Sequence, residues 1–323
     1  MKQVTKLICV FFLITVVLTC AIMSALVIRR MYQNINRNIR ESRNELQSQL
    51  HDIENSLHSV EGQTRLALPE ANKNTKLNYR WTKNRLIAHA FGAVTLDDGR
   101  YDYTNSHEAF QENYGLGFRV FEADLMLSSD GALVAAHDWE RYGTTAPLSI
   151  SQFENGEFYD GQITQMTGGD VIDLLIQYPD IYIVTDTKYT DPNSYRLQFS
   201  QLVYLAQEKN AVQVLDRLIV QVYNQSMYEI LYDVYPWKSV VYTLYQSNDS
   251  VEDAIDFCVD RGIQVVTMNY WATTAETAEQ LHSAGLQLYV FTVNEQQDLE
   301  HGVAIGIDGF YTDSVFPELL PEP

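Results

Sequence analysis

The sequence predicts an α/β fold, a (β/α)8 TIM barrel over residues 85–320, and three observations carry that prediction. Short β-rich runs alternate with longer helical patterns, which implies a parallel sheet with helical crossovers. Eight main strands fall in this region, the number that closes such a barrel. Several apolar runs end in ionisable or amide groups, as expected where strand ends build a polar site on one rim. A doubly wound open sheet is the alternative, but no glycine-rich phosphate turn follows the first strand.

The elements before the barrel come first in the chain. Residues 1–6, "MKQVTK", form a short basic tail. Residues 7–28, "LICVFFLITVVLTCAIMSALVI", are uncharged throughout and match the length of a helix crossing about 30 Å of hydrocarbon. A cleaved signal peptide has a shorter apolar core, roughly 7–15 residues, and Thr19 in "VLTC" is a poor lipoprotein site. The run therefore predicts a retained single-pass anchor in the cell membrane. Arg29, Arg30, Arg37, Arg40 and Arg43 follow it, and a literal count of flanking charges would place the body in the cytoplasm. Short-tailed anchors on bacterial enzymes more often hold the body outside, so an extracytoplasmic body is expected here. Residues 29–68 predict a helical stalk. Leu46, Leu50, Ile53, Leu57 and Val60 alternate steps of four and three, a seam that would pair two copies as a coiled-coil homodimer. Asn36 and Arg43 interrupt that seam upstream. Pro69 and the polar "EANKNTKLN" mark a linker over residues 69–84.

Within the barrel the main strands are "RLIAH", "FRVFEADL", "IYIVTDTKY", "LIVQVY", "SVVYTL", "IQVVTMN", "LQLYVFTVN" and "DGFYTD", with "ALVAAH" an additional candidate. Helical stretches such as "NSHEAFQENYG", "GGDVIDLLIQYP", "NSYRLQFSQLVYLAQEKN", "SVEDAIDFCVDRG" and "TTAETAEQLHSAG" separate them, several closed by Gly or Pro.

Charge is unevenly spread along the chain. Residues 1–84 hold 12 basic and 6 acidic side chains, whereas residues 85–323 hold 10 basic and 36 acidic ones, a net of −26. Such a body repels nucleic-acid backbones, so no nucleic-acid partner is expected. Cys9 and Cys20 lie in the apolar run and Cys258 stands alone, which excludes a disulfide framework or a cysteine metal site.

Barrel logic then assembles a candidate site. His89 ends strand one, Glu122 and Asp124 end strand two, and Asp186 and Lys188 end strand three. Gln221 and Asn224 follow strand four, Asn269 strand six, Asn294 strand seven and Asp313 strand eight. Glu122 and Asp124 are two apart and share one side of their strand. Two carboxylates there repel each other unless a cation lies between them, and oxygen ligands suit Mg²⁺ or Ca²⁺. Trp139 and Trp271 follow strand ends and could line a polyol or lipid site.

These residues resemble those of the glycerophosphodiester phosphodiesterases, across essentially all of residues 85–318. The family's His-Arg-Gly opening is "HAFG" here, and its "PENT…AF" segment is "YTNSHEAF". The run "GFRVFEADLMLSSDGALVAAHD" matches the family's Glu-x-Asp and His-Asp segment, and "DTK", "FTVN" and "GIDGFYTD" stand for later family motifs. The resemblance implies a metal-dependent phosphodiesterase acting on a glycerophosphodiester-type substrate, either a lipid head group or a polyol-phosphate polymer. It implies that His89 and His137 are the acid–base pair and that Glu122, Asp124 and Asp186 hold one divalent cation, Ca²⁺ or Mg²⁺. It also implies phosphate binding by Lys188, with Asn105 and Asn294 as further substrate contacts. There are departures: Ala90 replaces the arginine after the first histidine, Asp186 shortens a glutamate, and Thr104 replaces the acidic residue of "PENT". A lyase forming a cyclic phosphate and a non-catalytic phosphopolymer-binding barrel are the alternative readings.

Overall fold

The structure, a computed structural model, describes residues 77–320. The tail, the apolar run 7–28, the stalk 29–68 and residues 69–76 of the linker lie outside the described residues, as do 321–323. Among the described residues no helix is long and apolar enough to cross a membrane.

Among the described residues eleven strands occur, in the order β1 (Leu86–Ala88), β2 (Val94–Leu96), β3 (Gly99–Tyr101), β4 (Val120–Leu127), β5 (Leu133–Ala135), β6 (Tyr182–Thr187), β7 (Leu218–Val222), β8 (Val240–Thr243), β9 (Val265–Asn269), β10 (Gln287–Phe291) and β11 (Gly309–Thr312). Strands β1, β4 and β6 to β11 pair in parallel, in that order. The sheet closes because β1 pairs on one side with β11, Ile87 opposite Tyr311, and on the other with β4, Ala88 opposite Phe121. The expected (β/α)8 barrel is therefore present.

The α-helices of the described residues are α1 (His107–Gly115), α2 (Ile150–Glu154), α3 (Gly168–Gln177), α4 (Pro192–Glu208), α5 (Gln225–Val234), α6 (Val251–Arg261), α7 (Ala275–Ser283) and α8 (Gln296–Ala304). Their starts are written locally. Ser106, Thr167, Asp191, Asn224, Ser250 and Thr274 each accept a hydrogen bond from the backbone N–H three residues on, satisfying a donor the helix leaves unpaired.

Two departures from the sequence reading bear on the site. Strand β4 runs on to Leu127 and pairs antiparallel with β5, so Glu122 and Asp124 lie within a strand rather than at its end. A small antiparallel hairpin, β2 with β3, sits between β1 and α1; its three-residue strands are too short to show a periodicity. A third departure concerns the linker. Trp81, in the 3₁₀ turn Arg80–Lys83, is fully buried against Tyr289, with ring centroids 5.3 Å apart. The Asn78 N–H donates to the Lys238 carbonyl at 2.6 Å, and the Tyr79 hydroxyl donates to the Val240 carbonyl at 2.9 Å. Residues 77–84 thus belong to the barrel floor, which polar composition alone conceals.

The interior explains why apolar strands carry ionisable groups. Ile87, Val120, Val184, Ile219, Val241, Val265, Tyr289 and Tyr311 form one buried layer above Trp81. Side chains alternate across a strand, so the next inward residue is two positions on. Those residues are His89, Glu122, Asp186, Gln221, Thr243, Thr267, Phe291 and Asp313. Residues of the other parity, such as Ile183, Val220 and Phe310, join Leu175, Phe199, Leu231 and Leu299 of the helices in the outer core. The wide Tyr289 ring in the inner layer requires Gly309 beside it, because a Cβ there would lie 2.0 Å from the ring.

Candidate active site

The second inner layer opens into a cavity of about 140 Å³ lined by His89, Tyr103, Glu122, His137, Asp186 and Lys188, with Gln221, Thr243, Tyr245, Phe291, Thr292 and Tyr311. Both histidines, two of the three expected carboxylates and Lys188 line it directly, and Asp124 sits in full burial behind Lys188.

His89 follows β1 at the start of a tight turn. Ala90 (φ 50°), Phe91 (φ 66°) and Gly92 (φ 85°) run through the left-handed region in succession, which turns the chain away from the rim. Gly92 is required there, since a Cβ would meet the Asn113 amide at 2.5 Å. The His89 ring is buried between carboxylates. Its Nδ1 is 2.9 Å from Asp313 Oδ1, and its Nε2 is 3.4 Å from Glu122 Oε2. Burial alone would lower its pKa, but Glu122 and then Asp313 outweigh this and raise it from 6.5 to about 9. His137 comes from the segment after β5, with Nδ1 2.8 Å from Asp138 Oδ2.

The acidic cluster is held by register. Asp124 on β4 lies opposite Asp186 on β6. Glu122, Asp124 and Asp186 each offer one oxygen, all within 4.8 Å of one another. Lys188 links the two aspartates, with Nζ 2.7 Å from Asp124 Oδ1 and in contact with Asp186 Oδ2. Burial pushes the Glu122 carboxyl up to about 8, with Asp186 and Asp124 adding to the rise against the pull of His89. Burial likewise raises Asp186. Burial opposes ionisation of Asp124 as well, but the Lys188 ammonium and both imidazoles prevail and hold it at about 2.

The donor set fits a hard divalent cation. Glu122 Oε2 is buried and accepts no hydrogen bond, and Tyr311 carries a buried hydroxyl without a partner on the same cavity. Buried acceptors left this way are costly unless a ligand completes them. Carboxylate oxygens in this arrangement suit Mg²⁺ or Ca²⁺. The shortened Asp186 is steadied by Gln221 Nε2, which donates to its Oδ1 at 3.0 Å, and by the Tyr223 hydroxyl, which donates to the same oxygen. Both oxygens of Asp186 are thus engaged, Oδ1 by Gln221 and Tyr223 and Oδ2 by the Lys188 ammonium.

Two expected substrate contacts are placed otherwise. Asn105 is fully buried, donates from Nδ2 to Asp124 Oδ2 at 2.7 Å, and accepts from the Asp124 N–H at 3.0 Å. Asn294 donates to Asp313 Oδ2 at 2.7 Å and accepts from the Asp313 N–H at 2.8 Å. Both amides orient carboxylates rather than facing the cavity. Lys188 is the single lysine or arginine lining the cavity. Arg119 ion-pairs with Asp180 at 2.7 Å, away from it. Trp139 is buried against Phe153 and Tyr142 rather than lining the mouth, whereas Trp271 is 78% exposed. Among the side chains at the site that sequence reasoning missed are Asp138, Tyr103 and Tyr223. The "HD" pair pointed to Asp138; nothing in the sequence pointed to the two tyrosines.

The model of the glycerophosphoryl diester phosphodiesterase family matches residues 98–316. The chain belongs to that family. It is thereby assigned to the phosphoric diester hydrolases. No curated protein matches the chain. Among solved structures, a glycerophosphodiester phosphodiesterase from Parabacteroides distasonis is similar at 17% identity and TM-score 0.58, covering 71% of this chain and 92% of that one. A phosphodiesterase from Oleispira antarctica, solved with the product sn-glycerol-3-phosphate, is similar at 16% identity and TM-score 0.58, covering 73% of this chain and 94% of that one. A glycerophosphodiester phosphodiesterase from Agrobacterium tumefaciens is similar at 16% identity and TM-score 0.53, covering 73% and 98%. At these identities the likeness speaks for the barrel.

Proposed function

We propose that this protein is a metal-dependent phosphodiesterase that hydrolyses a glycerophosphodiester-type substrate through a His89–His137 acid–base pair. The observation that carries the reading is the meeting of two carboxylate-bound imidazoles and three acidic side chains around one cavity.

Glu122, Asp124 and Asp186 would hold a divalent cation, which when bound would neutralise phosphate oxygens as negative charge builds at the scissile bond. Lys188 adds a positive point charge beside it; two of its three N–H donors serve Asp124 and Asp186, and the third is free for phosphate. His137, on the more open side, takes the proton from the attacking hydroxyl, water or a neighbouring glycerol hydroxyl. His89, with Asp313 buried on Nδ1, is stabilised as the imidazolium and gives a proton to the departing alkoxide. The cavity takes the phosphodiester between the two histidines and Lys188, and the remainder of a larger substrate would lie in the mouth beside the 63% exposed Tyr245.

The test is phosphorus NMR of a panel of lipid-derived and polymeric phosphodiesters with Mg²⁺ or Ca²⁺. Glycerol phosphate or a polyol monophosphate should accumulate with wild type and be lost in His89→Ala, His137→Ala and chelator-treated samples. A persistent cyclic phosphate would favour lyase chemistry, and no turnover of any member would leave a binding barrel. The apolar run 7–28 supports placing this activity at the cell membrane, where we place the body on the extracytoplasmic side, and the stalk seam supports a homodimer. Resistance of the chain to carbonate extraction, protease access in intact cells and sedimentation of residues 29–323 test those three statements.

A further inference from the structure

Tyr103 stands between the two histidines. Its ring centroid lies 4.6 Å from that of His89 and 4.6 Å from that of His137, with interplanar angles of 80° and 68°. Both contacts have the edge-to-face form that aromatic rings prefer. In the "YTNS" counterpart of "PENT", this position is proline in the family segment.

The loop around Tyr103 is built to hold that ring. Tyr103 (φ 55°) and Asn105 (φ 47°) both occupy the left-handed region, which a bulky side chain rarely adopts unless its surroundings fix it. On one side, Asn105 is tied to Asp124 through both atoms of its amide. On the other, the Arg141 guanidinium lies 4.7 Å from the Tyr103 ring centroid. Arg141 is itself fixed by Asp138, 3.3 Å from its Nε, and by the Asp102 carbonyl, 3.2 Å from Nη1. Asp138 also holds His137 at 2.8 Å. A closed circuit of Arg141, Asp138, His137 and Tyr103 results, and Tyr103 extends it to His89.

Each imidazole thus meets a carboxylate at Nδ1 and the Tyr103 ring, and His89 also faces Glu122 at Nε2. At His137 the single carboxylate fixes one atom of the ring and leaves it free to pivot about that contact. The tyrosine removes the pivot and sets the separation of the pair. Burial, followed by the fields of Asp313, Asp124 and Glu122, raises the Tyr103 phenol well above its ordinary range, so the ring stays neutral.

We propose that Tyr103 is a positioning residue whose ring, wedged between His89 and His137, sets the spacing and orientation of the acid–base pair. The inference rests on the reading that these two histidines serve one reaction. It assigns the task to the ring and none to the hydroxyl.

The experiment uses the full chain with ¹³C-labelled histidine. His89→Ala and His137→Ala identify the two imidazole resonances by their loss. In Tyr103→Leu both resonances should move, because the ring current of Tyr103 acts on both; in Tyr103→Phe both should stay near their wild-type positions. With a hydrolysed phosphodiester and divalent cation, Tyr103→Leu should lose about 100-fold in kcat with little change in KM, the scale of an ångström-level misplacement, while Tyr103→Phe retains kcat. Thermal melting reports folding, and Tyr103→Met replaces Tyr103→Leu if the latter unfolds. Wild-type kcat and unmoved resonances in the leucine variant would overturn the proposal. Equal losses in the phenylalanine and leucine variants would overturn it too, by assigning the role to the hydroxyl. If His89→Ala and His137→Ala both keep wild-type activity, the underlying reading fails instead, and the resonances still report whether the ring touches both imidazoles.

Discussion

Replacing Asp313 by Asn tests the electrostatics of the site most sharply. Asp313 accepts from His89 through a 2.9 Å contact between buried groups, while its other oxygen is held by Asn294 at 2.7 Å. The asparagine is nearly isosteric, so the barrel should remain folded. The charge is lost, and with it a charge-assisted hydrogen bond of about 1.5–3 kcal/mol. At about 1.4 kcal/mol per pKa unit, His89 should titrate roughly one to two units below its value of about 9. The Asn amide would also favour the opposite imidazole tautomer, and in hydrolases built on the same carboxylate–histidine logic that error lowers kcat by up to about 10⁴-fold. The assay is an NMR titration of the labelled imidazoles in chelator, followed by a pH–rate profile with cation restored. An unchanged His89 titration in Asp313→Asn would refute the reasoning, because Glu122 alone would then account for the shift.

Two further predictions concern stability. His89, raised to about 9, and Glu122, raised to about 8, both bind protons more tightly folded than unfolded. Stability from the His89 pairing is complete below pH 6.5 and lost as pH rises through 9, and ionising Glu122 between 4.5 and 8 subtracts in the same direction. The chelated protein should therefore melt progressively lower from about pH 6 to 9, and Ca²⁺ or Mg²⁺ should flatten that slope; a melting temperature that climbs over this range in chelator would contradict the assignment. Gly309→Ala places a Cβ 2.0 Å from the buried Tyr289 ring and should cost about 1–3 kcal/mol, read as a lower urea midpoint at constant m-value. A wild-type midpoint would mean that the inner layer has more room than the geometry allows.

Much of the site was legible because barrel interiors are layered. Val184 and Asp186 are two apart, as are Val120 and Glu122 or Ile87 and His89, so an apolar floor residue is followed by a polar residue facing the same way. That pattern is visible wherever one strand carries both layers. The amides were harder to place, because an Asn side chain can serve a phosphate or a carboxylate equally well. Asn105 and Asn294 proved to serve Asp124 and Asp313, contacts made across 19 residues each. Tyr103 was invisible for a different reason. Its place depends on a positive φ that tyrosine does not advertise, and on Arg141 from a loop beyond β5. Trp81 was hidden by polar neighbours that read as linker.

The proposed function turns on one cation that Glu122, Asp124 and Asp186 would hold beneath the two imidazoles. Anomalous diffraction from crystals grown with Mn²⁺, a hard stand-in for Mg²⁺ or Ca²⁺, tests this most directly. The expected result is one peak, about 2.0–2.6 Å from oxygens of Glu122, Asp124 and Asp186, that disappears in Asp124→Asn. A cavity without density at saturating Mn²⁺, or a peak bound by other residues, would contradict it.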